Sequence, residues 1–145
     1  MRDVMTVAKY VIDYCTRINK PISNLQLQKI LYYIQLNFYR NYHNACFTEE
    51  QFEAWEYGPV VPSIYYRFNS YGATKICNIY SDVYNVFSNE EESLCKNIIS
   101  VCISLDVWDL VQRSHKEGSP WKQVYVGRRV PIPEKLIKAY AYSAH

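Results

Sequence analysis

The chain has 145 residues, 49% of them hydrophobic, and a formal net charge of +2. This length and apolar content suit one domain with a single core and exclude a disordered chain, and the small net charge excludes a strongly basic nucleic-acid-coating composition. Fifteen residues are tyrosine, an excess that tilts the reading toward contact-making rather than catalysis, because tyrosine combines a large apolar face with a polar tip.

Cys15, Cys46, Cys77, Cys95 and Cys102 are odd in number and widely spaced, with no C-x-x-C and no zinc-type Cys/His spacing. No stretch reaches the ~18 apolar residues of a membrane span. The opening residues do not read as a secretory leader, so a cytoplasmic protein with reduced thiols is expected. Charge is unevenly placed. Glu49, Glu50, Glu53 and Glu56 form an acidic stretch, whereas Arg113, Lys116, Lys122, Arg128, Arg129, Lys135 and Lys138 dominate the C-terminal part. Each is first a solvated face; the basic end also suits an acidic partner surface or a phosphate backbone.

In chain order, Val4, Val7, Ala8, Val11, Ile12 and Cys15 recur at helical spacing and predict a first amphipathic helix over residues 3 to 18, ended before Pro21. Ser23 and Gln26 form a capping box that opens a second helix over about 24 to 42. Leu27, Ile30, Leu31, Ile34 and Phe38 make its main stripe, and Leu25, Tyr32, Tyr33, Leu36 and Tyr39 widen it around most of the circumference. A helix so apolar is a buried hub. From Phe52 to Tyr65 the residue types predict an extended arm, a bend at Gly58-Pro59 and a helix from Pro62 to about Ser70 with Gly72 as its left-handed cap. On such an arm Trp55 and Tyr57 share a side.

Residues 73 to 87 are rich in β-branched and aromatic types and read as an extended segment or short hairpin. Ser88 and Glu91 form a second capping box. The helix it opens carries Leu94, Ile98, Val101, Cys102 and Leu105 on one side, and Cys95 and Cys102 are expected in the core. A further helix begins near Asp106, with Leu110 and Val111 facing inward and Gly118 as its cap; Ser119-Pro120 restarts a helix ahead of Trp121. Glu134 to Tyr142 close the chain with a last helix. The expectation is a mainly α, compact single-domain helical bundle over 1–145, with a central buried helix and a short extended or hairpin element.

Catalytic chemistry finds little support. His115 lies near Ser114 and Ser119, but neither serine sits in a nucleophile elbow, and a histidine before a helix-ending turn more often caps carbonyls or bonds a neighbouring element. His43 and His145 add no ligand set, and four glycines provide no phosphate-cradling loop. No catalytic residue, metal or cofactor is expected, and the protein is read as a non-enzyme. Ser23, Asn24, Gln26, Gln28 and Lys29 resemble the start of a base-reading helix. The run Ile30-Leu31-Tyr32-Tyr33-Ile34 that follows is too apolar for a groove, which makes nucleic acid an unfavoured partner.

Several blocks together resemble the Panacea domain, the SocA-like antitoxin and phage-associated family. They are Val7-Ala8-x-Tyr10, Lys20 through Tyr33, Phe52-x-Ala54-Trp55-x-Tyr57-Gly58-Pro59-Val60-Val61-Pro62, Tyr71-Gly72, and Ser114-His115-x-x-x-Ser119-Pro120-Trp121. The family usually has threonine where this chain has Ser114, and a hydroxyl is kept. The resemblance implies a domain that binds and neutralises a toxin encoded beside it, in some relatives as an adaptor to an ATP-dependent protease. The alternative is a phage-encoded DNA-binding regulator or host-interaction protein. Trp55, Tyr57, Tyr65, His115 and Trp121 are the candidate partner-binding residues. Each also reads as a structural plug or cap.

Overall fold

The computed structural model describes residues 2–48 and 50–143; Glu49 of the acidic stretch and His145 of the tail lie outside the described residues. Helix α1 (Val4–Arg17) is capped by Asp3, and its whole predicted stripe is buried. The turn after it passes through Asn19 at φ +63°, a conformation Asn tolerates better than most residues. Helix α2 (Asn24–Tyr42) opens on the Ser23–Gln26 capping box with both reciprocal bonds present. The chain then makes strands β1 (Glu53–Trp55) and β2 (Gly58–Val60), helix α3 (Pro62–Arg67), a 3₁₀ turn over Asn69–Tyr71, and helix α4 (Asn89–Ser104). Helices α5 (Val107–Ser114) and α6 (Pro120–Val124), strand β3 (Val130–Pro131) and helix α7 (Glu134–Tyr142) complete it. Mainly helical architecture, one domain's core and the boundaries of α2 and α7 agree with the sequence reading.

α2 is the hub, packing against α1, α3, α4, α5, α7 and β2. Its burial is not purely apolar. Asn24, Gln28, Lys29 and Gln35 on α2 are each at most 4% exposed. Each is matched to groups outside the helix or to a neighbour that is. Asn24 Nδ2 donates to Tyr65 O, and Gln28 Oε1 accepts from the Val61 N–H while its Nε2 donates to Asn24 Oδ1. Lys29 Nζ donates to Pro59 O, and Gln35 Oε1 accepts from the N–H groups of Cys46 and Phe47. Buried polar groups must be satisfied, and here they tie the irregular chain on either side of the hairpin to the central helix. The residues that resembled a base-reading helix start are therefore mostly core: Gln28 and Lys29 have no exposure at all.

The arm differs from its expected course. It is a β-hairpin, with Trp55 opposite Gly58, Ala54 opposite Pro59 and Glu53 opposite Val60, so the chain reverses at Glu56-Tyr57 rather than at Gly58-Pro59. β3 pairs with the other edge of β1, giving the order β2-β1-β3. Residues 73–87 contain no hairpin; among them only the Ile22–Ile76 bridge is strand-like. α3 stops at Arg67 and passes into the 3₁₀ turn, whose cap Gly72 has φ +58° and ψ −128°, outside the left-handed helical region expected of it. α5 ends one turn before Gly118, with His115 as its cap and Gly118 lying in the link to α6 at φ +84°.

The Ser88–Glu91 capping box forms as expected. Arg2 joins it to the N-terminus: its guanidinium meets Glu91 at 2.6 Å and Val86 O at 2.8 Å while lying over the Phe87 ring. On α4 the buried positions are Cys95, Ile99 and Cys102. Of the expected stripe, Cys102 is buried and Leu94, Ile98 and Leu105 are half-buried against the core, whereas Val101 is 62% exposed.

Candidate functional site

Two β-turn-like corners meet above α2: the hairpin and the α5–α6 link. At their junction Gly58 has φ +113°, and a β-carbon there would lie 2.6 Å from Ser114 Oγ and 2.7 Å from Lys29 Cε. Only glycine meets both demands. Ser114 Oγ donates to Val111 O, and Ser119 Oγ donates to Ser114 O while accepting the Lys122 N–H as the cap of α6. Trp121 Nε1 donates to Trp55 O at 2.7 Å, which fastens α6 to β1. His115 stacks flat on Trp121 at 3.5 Å, and Trp121 stacks on Tyr125 at 4.7 Å.

Lys29 beside Ser114 has the ingredients of a base and a hydroxyl, but the geometry closes it. Both side chains are buried, and the serine proton is committed to a backbone carbonyl. Desolvation lowers Lys29 to about 7. Burial, then the charges of Lys29 and Lys122, lowers His115 below its ordinary value, so its ring is neutral near pH 7. Its Nε2 is buried without a hydrogen-bond partner among the described residues. No group of three or more His, Cys, Asp or Glu side chains among the described residues is placed to hold a metal ion, and no described helix is long and apolar enough to cross a membrane.

The five candidate residues divide into two sets. Trp55 (6% exposed) and Trp121 (7%) are buried, and His115 is half-buried against Trp121. Tyr57 is 47% exposed, at the tip of the hairpin, and Tyr65 is half-buried on α3. Trp55 and Tyr57 are thus not neighbours on one strand face, because the reversal falls between Trp55 and Gly58. They nevertheless line one groove of about 310 Å³, together with Tyr65, Tyr125, Arg128 and Arg129. Trp55 forms its base: Nε1 donates to Glu53, the ring meets Tyr65 edge-on at 4.9 Å, and the Arg129 guanidinium lies over it at 3.5 Å.

Four surface residues extend this face beyond the five: Trp108, Tyr66, Arg128 and Arg129. Trp108, 53% exposed on α5, meets Tyr57 edge-to-face at 5.3 Å. Tyr66 is 57% exposed and accepts from Arg129 Nη1 at 3.1 Å; Arg128 is exposed beside it in sequence. The α5 pattern held the signal for Trp108, since Leu110 and Val111 facing in leave it facing out. Nothing local in the sequence brings Arg129 to Trp55.

The family model described as "Antitoxin SocA-like, Panacea domain" matches residues 27–122. The chain belongs to the SocA-like antitoxin family. Antitoxin SocA of Caulobacter vibrioides (strain NA1000 / CB15N) is 30% identical to it over 152 residues, an alignment covering 94% of this chain and 80% of that protein. No solved structure matches the chain. In this Panacea domain the matched span contains Lys29, Gly58, Ser114 and Trp121, so the whole junction lies inside it, whereas Arg128, Arg129 and α7 lie beyond its end.

Proposed function

We propose that this protein is an antitoxin that neutralises a cognate toxin by binding it directly, through the aromatic and arginine face around Tyr57. The observation that carries the reading is the exposed Tyr57–Trp108 pair, which the fold does not need for its core and which continues into the Trp55–Tyr65–Arg129 groove. Trp, Tyr and Arg are the side chains that supply most of the energy of protein–protein contacts. Trp55 is held by Arg129 above and, through its carbonyl, by Trp121 below. The groove is therefore pre-ordered, and docking costs less side-chain entropy. Arg128 and Arg129 outnumber Glu56 in its lining and favour a toxin surface that is apolar at the centre and acidic at the edge. The role is binding, not catalysis.

The test is co-expression of the tagged protein with the product of the reading frame beside it. Expected are rescue of growth and recovery of a stoichiometric complex, both weakened by the Tyr57→Ala/Trp108→Ala pair. A neighbour that is harmless alone, or one bound equally well by the double variant, would count against the reading. Within it, a toxin that persists in the complex points to occlusion. One that disappears only while an ATP-dependent protease is active points to an adaptor.

A further inference from the structure

On the side built from α2, α4, α5 and α7 lies a groove of about 450 Å³ that shares no lining residue with the Trp55 groove. One wall is a face of α4, where half-buried Leu94, Ile98 and Leu105 and exposed Val101 border the groove. Its floor includes Tyr32, 1% exposed, whose buried hydroxyl has no hydrogen-bond partner among the described residues. An unpaired buried hydroxyl is costly, and because this one is sealed from solvent a guest gains it as a donor by parting the side chains over it.

The polar lining is one-sided. Arg40, Arg113 and Lys116 contribute to it and no acidic residue does. Neither Arg113 nor Lys116 enters an ion pair among the described residues. All three are exposed residues at the rim of the groove. A cavity of this size, mainly apolar, with a few convergent polar groups, has the make-up of a small-molecule site.

We infer that this groove binds a small apolar carboxylate, whose hydrocarbon part lies along Leu94, Ile98 and Leu105 and whose acid group is met by Tyr32 Oη and the Arg113–Lys116 cations. Tyr32 donates and remains protonated, since burial holds its phenol well above the usual tyrosine range. The inference does not depend on the antitoxin reading: it concerns a different surface and a different class of ligand.

The probe is decanoate, titrated calorimetrically into the full chain below its micelle range, with decylamine as the control of equal chain length. Expected are saturable one-to-one binding of decanoate, none of decylamine, and a roughly tenfold or greater weakening for Tyr32→Phe and for the Arg113→Glu/Lys116→Glu pair. Tyr32→Phe should fold at least as well as the parent, because it removes an unsatisfied buried group. Should it misfold, Val101→Trp at the exposed rim serves instead and should obstruct entry. Equal binding of the acid and the amine, wild-type affinity in these variants, or no saturable binding overturns the proposal. So does a groove that stays indifferent to decanoate but is protected in the toxin complex, which would make it a protein interface.

Discussion

Lys29 Nζ donates to Pro59 O at 3.0 Å from a side chain with no solvent exposure, so an amine inside the core holds the second strand of the hairpin to the central helix. Burial lowers that amine from 10.5 to about 7. Between those two values the unfolded chain binds more protons than the folded one, so stability rises with pH across the window; below about 7 the full cost of the buried charge is present. Buried thiols act the other way. Cys15, Cys95 and Cys102 are pushed from 9.0 to about 12, so stability falls above about pH 9 as the unfolded thiols ionise. Urea midpoints should climb from pH 7 to 9 and then decline. Lys29→Met should lose the climb and keep the decline. An unchanged climb in that variant would remove Lys29 as its source.

Gly58 bears the tightest steric constraint at the junction. Alanine there would combine an unfavourable positive φ with overlap of Lys29 and Ser114. A loss of about 3 kcal/mol is expected from the two effects together. Gly118→Ala is the control, since Gly118 has φ +84° but nothing within 4 Å of its would-be β-carbon, and it should lose only about 1 kcal/mol. Equal losses at the two sites would mean that the close approach at Gly58 relaxes without cost.

Gln35 tests whether the polar side of α2 is structural. Its Oε1 accepts two backbone N–H groups, from Cys46 and Phe47, and its Nε2 donates to Phe47 O and to Glu134 on α7. Gln35→Leu keeps the bulk and strands both amides, for an expected loss of about 3 kcal/mol in chemical unfolding. A loss below about 1 kcal/mol would show that water or a local shift replaces the amide.

The sequence announces its helices well and its junctions poorly, for a physical reason. The capping boxes at Ser23 and Ser88 and the stripe of α1 are local signals, and each appears in the structure as expected. The hairpin reversal is set by pairing of Trp55 with Gly58 and by β3 arriving from some 70 residues later, which local pattern does not encode. Likewise Asn24, Gln28, Lys29 and Gln35 look like a solvent-facing polar edge until their loop partners are placed. On α4, periodicity finds the apolar stripe but not that Val101 stays exposed while Ile99 is buried. The five candidate residues gather around one corner of the fold, but the sequence leaves each open as plug or contact, and their division into buried and exposed comes from the β1–β2 pairing and from the Trp121–Trp55 bond that seats α6 on β1.

That division yields the last prediction. Trp121→Phe removes the donor to Trp55 O and part of a buried ring, and should cost about 2–3 kcal/mol of stability. Tyr57→Ala and Trp108→Ala alter surface residues and should leave unfolding within about 0.5 kcal/mol of the parent. Each should instead weaken the toxin complex by about 2 kcal/mol, close to thirtyfold. Paired unfolding and affinity measurements on the three variants separate the roles. If Trp121→Phe folds normally and binds weakly, Trp121 is a contact residue. If Tyr57→Ala and Trp108→Ala bind as the parent does, the toxin docks on another face.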